Sequence, residues 1–319
     1  MIKTRITEML GIKYPIIQGG MGWLGLAELV AAVSNAGGLG VLGSVTHPDP
    51  EKLRQEIRKV KELTDKPFGV NITMLPALRE LPNDGFVQVV CEEGVAVVET
   101  SAGRPEKYID TLKKAKVKLI HKVGSVRHAL NAQKIGCDAV EVVGFESGGF
   151  PLPDDVTLWN LVPRIVDALN IPVSAAGGTT DYRQLTAALA LGADSVTCGT
   201  VFMATQECIA HPNLKQRLLQ ATECDTVMIQ RTINNQNRVF KNEAALKILE
   251  MEARKASFEE LVTLISGERG RKVYLEGDVD YGTVPCGQGV GLIKDIPTVK
   301  EVIDRMVMGA VKLLKRLSS

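Results

Sequence analysis

Several glycines of this chain fall where an anion could be held. Gly177 and Gly178 follow a short apolar run ending at Ala176, and Gly199 and Thr200 follow another, Ser195–Cys198. Glycine lets backbone N–H groups come close to an anion, and a helix start adds partial positive charge. Asp181 opens such a helix just after the first pair. Tight turns alone would use the same residues, but two such loops after two successive strands favour a phosphate. Lys122 is the second candidate. In Leu119-Ile120-His121-Lys122, strand alternation puts Ile120 and Lys122 on one face and His121 on the other. A lysine near the end of a buried strand is rarely left without an anionic partner. It could stabilise negative charge on a cofactor ring, or it could serve a structural salt bridge. His121, facing the helix layer, reads as a hydrogen-bonded structural histidine.

Elements that could position these residues alternate along the first 200 residues. Strands are expected at 16–18, 40–42, 68–73, 95–99, 118–123, 139–143, 171–175 and 195–198. Helices are expected between them at 26–36, 50–63, 86–93, 105–114, 126–135, 158–169 and 182–191. Such alternation demands parallel strands, because each helix carries the chain back across the sheet. Eight units fit a closed (β/α)8 TIM barrel. An open doubly wound sheet is the rival, but it would place one dominant glycine motif after the first strand. Here glycines follow several strands, and such loops converge only at the C-terminal rim of a barrel. Residues 1–205 are therefore expected to be the barrel and 206–319 a mainly helical appendage without strand alternation. In that appendage 243–254 and 258–265 look helical, 277–291 is a glycine-rich loop, and 299–317 carries apolar residues at helical spacing. The last helix is expected to dock on the barrel or on a subunit partner, rather than on a membrane.

Composition removes whole classes. The 38 basic and 37 acidic side chains nearly balance, which argues against nucleic-acid and membrane-surface binding. Apolar residues make up 45% of the chain and aromatics 4%, excluding collagen, disorder and a membrane protein. The six scattered cysteines form no C-x-x-C pair, so reduced thiols are expected, with neither disulfides nor a metal site. The opening MIKTRITEMLGIKYP has no long apolar run of a signal peptide. The expected location is cytoplasmic and the expected partner a small-molecule substrate, with a homodimer open.

Taken in order, Gln18-Gly19-Gly20-Met21-Gly22, Asn71-Ile72-Thr73, His121-Lys122-Val123, Glu146-Ser147-Gly148-Gly149, Ala176-Gly177-Gly178 and Gly199-Thr200 carry a resemblance. The chain resembles the nitronate monooxygenase (2-nitropropane dioxygenase) family of FMN-dependent barrels. It is also similar to that family's relatives, the NAD(P)H:quinone reductases and the flavin-dependent enoyl-ACP reductases. The similarity runs nearly end to end and takes in His211-Pro212 and the 277–291 loop. It implies FMN. Gly20, Met21 and Gly22 would meet the flavin ring, Thr73 and Lys122 the ring or ribityl side, and Gly148 would lie near it. Ala176, Gly177, Gly178, Gly199 and Thr200 would hold the phosphate. Lys122 would stabilise the reduced flavin electrostatically.

One position departs from the family's pattern. Where the family usually has a catalytic histidine after the paired glycines, this chain has Phe150. Phenylalanine cannot abstract a proton from a neutral nitroalkane. A nitronate already lacks that proton, and reduction by a nicotinamide needs stacking rather than a base. His47, in the loop after the second strand, is a candidate replacement base or an exposed turn residue. His211 is expected to buttress its loop and His128 to lie on the surface. Tyr281 and Gln288 could line a substrate pocket together with Phe150, or pack their own loop. Three readings follow. The first is nitronate oxidation with oxygen through reduced flavin. The second, favoured by Phe150, is NAD(P)H-dependent reduction of a quinone or an enoyl thioester. The third is a flavoprotein without turnover.

Overall fold

The computed structural model describes residues 2–74 and 81–318. Eight parallel strands close into a barrel, each hydrogen-bonded to the next and the last to the first. They are β1 (Ile16–Gln18), β2 (Leu39–Gly43), β3 (Gly69–Thr73), β4 (Val97–Ser101), β5 (Lys118–Val123), β6 (Ala139–Val143), β7 (Val173–Ala176) and β8 (Ser195–Cys198). A short helix, α1 (Arg5–Leu10), precedes them. The returning helices are α2 (Ala27–Asn35), α3 (Pro50–Leu63), α4 (Asn83–Glu92), α5 (Glu106–Lys114), α6 (Val126–Ile135), α7 (Leu158–Ala168) and α8 (Tyr182–Ala190). This is the expected (β/α)8 architecture.

Two strands begin two residues later than expected, for local reasons. The Val95 N–H bonds to Val90 O and so completes the turn that ends α4, which delays β4 to Val97. Before β7, the Asn170 and Ile171 N–H groups are taken by the Gln133 side chain, and Pro172 has no N–H to give a ladder.

Beyond the barrel come α9 (Thr200–Met203), α10 (Pro212–Leu219), α11 (Glu243–Ala253), α12 (Phe258–Ile265), α13 (Gly267–Glu276) and α14 (Val299–Leu317). The expectation of no strands here is corrected. β9 (Thr226–Ile229) and β10 (Asn237–Phe240) form an antiparallel hairpin. Its strands are four residues long, too short for alternation to register, and left-handed Gln230 and Asn234 make the turn between them. α14 lies against α8 and α2. Its Val302, Ile303, Met306 and Ala310 are buried, and Gly309 packs so close to the Tyr182 ring that a Cβ there would come within 2.3 Å. Among the described residues, no helix is long and apolar enough to cross a membrane.

The core has two layers. Outward strand faces pack on the helices in one large cluster. Inside the barrel, Ile17, Leu39, Val41, Val97, Ile120 and Ala139 form a second apolar cluster, closed at the N-terminal end by Ile6 and Leu10 of α1. Alternation puts these side chains on the axis.

Candidate active site

Above that apolar plug the inward positions become polar. Lys122 Nζ stands 3.3 Å from Glu99 Oε2 and 3.2 Å from Glu141 Oε1. The two carboxylate side chains are 1% and 2% exposed, so water does not satisfy them. Glu141 is in register with Lys122 on the next strand, and Glu99 with Ile120, so all three point inward at neighbouring levels. Asn71 donates to Glu99 Oε2 and, at 2.8 Å, to Ser101 Oγ. The Gly20 N–H also donates to Glu99 Oε2, at 3.2 Å. Thr197 donates to Glu141 Oε2 at 3.0 Å and shares a 2.9 Å hydrogen bond with Ser174. Burial would discharge the lysine, but the two carboxylates outweigh it and lift its pKa above the usual range. Burial raises the Glu141 carboxyl, and Glu99 adds to that rise against the pull of Lys122. Glu99 is held low despite burial, by Lys122 and its hydrogen bonds.

The glycine loop after β1 rests on this cluster. A Cβ on Gly20 would lie 2.3 Å from Asn71 Cβ, and one on Gly19 would lie 2.8 Å from Thr197 Cγ2 and 3.7 Å from Lys122 Nζ. No larger residue fits. Gln18 steers the loop: its side chain accepts from the Val41 N–H and donates to the Gly19 and Val41 carbonyls. Met21 brings its sulfur within 3.6 Å of a Cβ position on Gly199, and Gly22 approaches Val45. Thr73 donates to Asn71 Oδ1 at 2.9 Å. Gly20, Met21, Gly22, Thr73, Lys122 and Gly199 thus gather at one mouth.

The second wall is also backbone. Gly178 has φ +61°, a conformation that only glycine adopts without strain. A Cβ on Gly287 would stand 3.2 Å from Gly148 N and 3.5 Å from Gly178 N, and the Gly287 N–H donates to Thr200 Oγ1 at 3.0 Å. Gln288 donates its N–H to Glu146 O at 3.0 Å. The late loop therefore enters the site through Gly287, and Gln288 touches it by backbone. The start of α8 does not behave as expected. Asp181 and Gln184 close a capping box there, so the Thr180, Asp181 and Arg183 N–H groups are already used. An anion would draw on Gly177, Gly178, Gly199 and Thr200 instead. A group with an anionic tail and a flat ring fits these walls. Among the described residues the Gly199 Cβ position meets nothing within 4 Å but Met21 Sδ, and a cation held by two buried carboxylates lies below.

The rim places the remaining candidates. Phe150 is 45% exposed. It follows Gly149, whose N–H and C=O pair with Arg238 of β10 at 3.0 and 2.7 Å. Leu152 packs on Gly124, just beyond β5, so this segment crosses the strand that carries Lys122. An Asp155–Arg231 ion pair at 2.9 Å ties its far end to the segment joining β9 and β10. Glu146 caps α7 by accepting from the Leu158 N–H.

Tyr281 is clasped by α13, with the Arg269 guanidinium 3.8 Å from its ring centre. His47 is buried rather than exposed; burial lowers its pKa, and the charges acting on it are Glu56 and Asp49, of α3 and its cap. His211 Nδ1 accepts from the Asn213 N–H, and its ring fills the space beside Gly277. His128 lies exposed on α6. His121 pairs with Thr100 at 2.8 Å, and burial lowers it to about 4. Of the four, His121 and His211 are held by local hydrogen bonds and His128 lies on a helix surface. Sequence reasoning missed Glu99 and Glu141. Their signal was a lone carboxylate at an inward position of each otherwise uncharged strand, VVETS and AVEVV.

A model of the nitronate monooxygenase family matches residues 3–309. FabK from Thermotoga maritima is 39% identical with a TM-score of 0.92, covering 100% of this chain and 99% of that one. A (3aS,4S,5R,7aS)-5-hydroxy-7a-methyl-1-oxo-octahydro-1H-indene-4-carboxyl-CoA dehydrogenase from Rhodococcus jostii is 34% identical over 100% of this chain and 98% of its own length. A protein named probable nitronate monooxygenase from Staphylococcus saprophyticus is 34% identical over 78% of this chain and 81% of its own length.

Proposed function

The chain belongs to the nitronate monooxygenase family and is an oxidoreductase, and within that family we propose an FMN-dependent, NAD(P)H-linked reductase of an enoyl thioester. The observation that carries this reading is Phe150. It is exposed at the rim where a proton-abstracting base would be needed, and its side chain has no group that takes a proton. An aromatic face there suits stacking of a nicotinamide or an acyl chain, whereas a neutral nitroalkane needs a base. Two relatives matched over their whole length agree: one is FabK and the other acts on a CoA thioester.

FMN would supply hydride acceptance and donation. Gly20, Met21, Gly22 and Thr73 would border its ring side, and Gly148 would lie nearby. Ala176, Gly177, Gly178, Gly199 and Thr200 would hold the phosphate. Lys122, kept charged by its two buried carboxylates, would offset negative charge on the ring. Residues 206–319 complete the rim through Arg238 and Gly287.

Anaerobic mixing tests the reading. NADH or NADPH should bleach the flavin, and an enoyl thioester should restore its colour. Bleaching by a nitronate alone would assign nitronate oxidation, and bound FMN that no donor reduces would mark a binding module. Protein that cannot be reconstituted with FMN would overturn the cofactor. Phe150→His should raise turnover of neutral nitroalkanes if the missing base is the obstacle; no gain would mean a pocket built for other chemistry.

A further inference from the structure

We propose that Glu99 and Glu141 share one proton, and that this proton fixes the charge around Lys122 and ties electron entry at the site to proton uptake. The inference deepens the flavin reading and rests on it for its second half only. Two carboxyl groups flank a single ammonium at 3.3 and 3.2 Å. Glu99 Oε1 is buried and receives no donor from the described residues. The Glu141 carboxyl stands against the same ammonium and shares a side-chain hydrogen bond with Glu99. Two carboxylate oxygens are both acceptors, so they attract each other only with a proton between them. Leaving that contact unprotonated would bury an unpaired charge, at high cost.

The charge count agrees. Lys122 with two ionised carboxylates carries a net charge of −1, and one added proton makes the group neutral. The surroundings show where the proton rests. Glu99 has Asn71 of β3 and the Gly20 N–H as donors besides Lys122. Glu141 has Thr197 of β8 alone besides Lys122. Ser174 of β7 stands behind Thr197, and burial and the Glu141 charge raise the Cys198 thiol on the outer face of β8. Glu99 is therefore the carboxylate and Glu141 the acid, and burial pushes the Glu141 pKa in the same direction. Both act through Lys122, as positioning residues. When Glu141 ionises, it releases a proton to solvent and leaves one net negative charge below the ring site. Two electrons arriving above Lys122 oppose that charge, so the pair rebinds the proton as they enter.

Redox titration of the holoprotein across pH reads the coupling. The wild type should bind one more proton per two electrons over the interval in which Glu141 titrates, and Glu141→Gln should lose that extra proton. Equal proton counts in both would overturn the coupling. Infrared spectroscopy reads the shared proton itself, with or without FMN. A protonated-carboxyl C=O band should stand at neutral pH, fade as pH rises, and be missing in Glu141→Gln. It should also be missing in Glu99→Gln, where Glu141 keeps Lys122 to itself and ionises; this second variant serves if the first does not fold. No such band in the wild type would overturn the proposal, even if FMN binding had failed on its own account.

Discussion

The two ends of the barrel interior are built from the same strands and held by opposite means. At the N-terminal end, Ile17, Leu39, Val41, Val97 and Ile120 meet Ile6 and Leu10 of α1 in a dry plug. Burying each large apolar side chain there contributes about 1.5–3 kcal/mol. At the C-terminal end, Lys122, Glu99, Glu141, Asn71 and Thr197 occupy the axis. Desolvating ions costs as much as their attraction returns, so such a cluster adds little net stability. The plug stabilises the barrel, while the polar layer carries a fixed charge and makes a site. The difference teaches where to look for function in this fold: at inward positions whose residue type works against stability.

Substitutions at the two ends separate these roles. Lys122→Met should have the largest effect, about 3–5 kcal/mol, because it strands the buried Glu99 carboxylate without its cation. Without that cation the Glu99 pKa rises above the unfolded value of about 4.3, and that of Glu141, already raised by burial, rises further. The native state then binds more protons than the unfolded chain, so the variant is most stable below that pH and loses stability as pH rises through the raised values. Urea unfolding of variant and wild type at acid and neutral pH measures this; a deficit that does not grow with pH would break the comparison. The variant should also slow flavin reduction. Leu39→Ala should cost about 2–5 kcal/mol through the cavity it leaves, with little dependence on pH and no change in flavin potential. A shifted potential would show that the plug and the site are coupled. The smallest effect belongs to Arg5→Ala, which removes a half-exposed ion pair between α1 and Asp194 at 2.7 Å. About 0.2–1 kcal/mol is expected, lessened by salt; a larger loss in thermal unfolding would mean the pair seats the plug.

Much of the fold was legible because it is written in local pattern. Period-two runs such as KLIHKV and AVEVV and helices between them leave few topologies open. The hairpin of β9 and β10 was not legible: TVMI and NRVF are too short to show a period. In the site, the glycines after β1, β7 and β8 could be read because strand ends in a barrel converge on one rim. The caps on α8 could not be weighed from Asp181 alone, since the competing acceptor, Gln184, acts through its geometry.

From residue order alone followed the alternation of strand and helix, the inward face of Lys122 and the glycine-lined rim. Each depends on near neighbours and on the fixed periods of strand and helix. The tertiary structure decided which partners meet. Barrel closure carries Asn71, Glu99, Lys122, Glu141 and Thr197, drawn from five strands, to one point on the axis. It also carries Gly287 back to Gly148 and Thr200. A charge's state depends on everything within a few ångströms of it, whatever the distance along the chain. Lys122 could therefore be found in the sequence, but the two carboxylates that hold it, and the proton they share, belong to the fold.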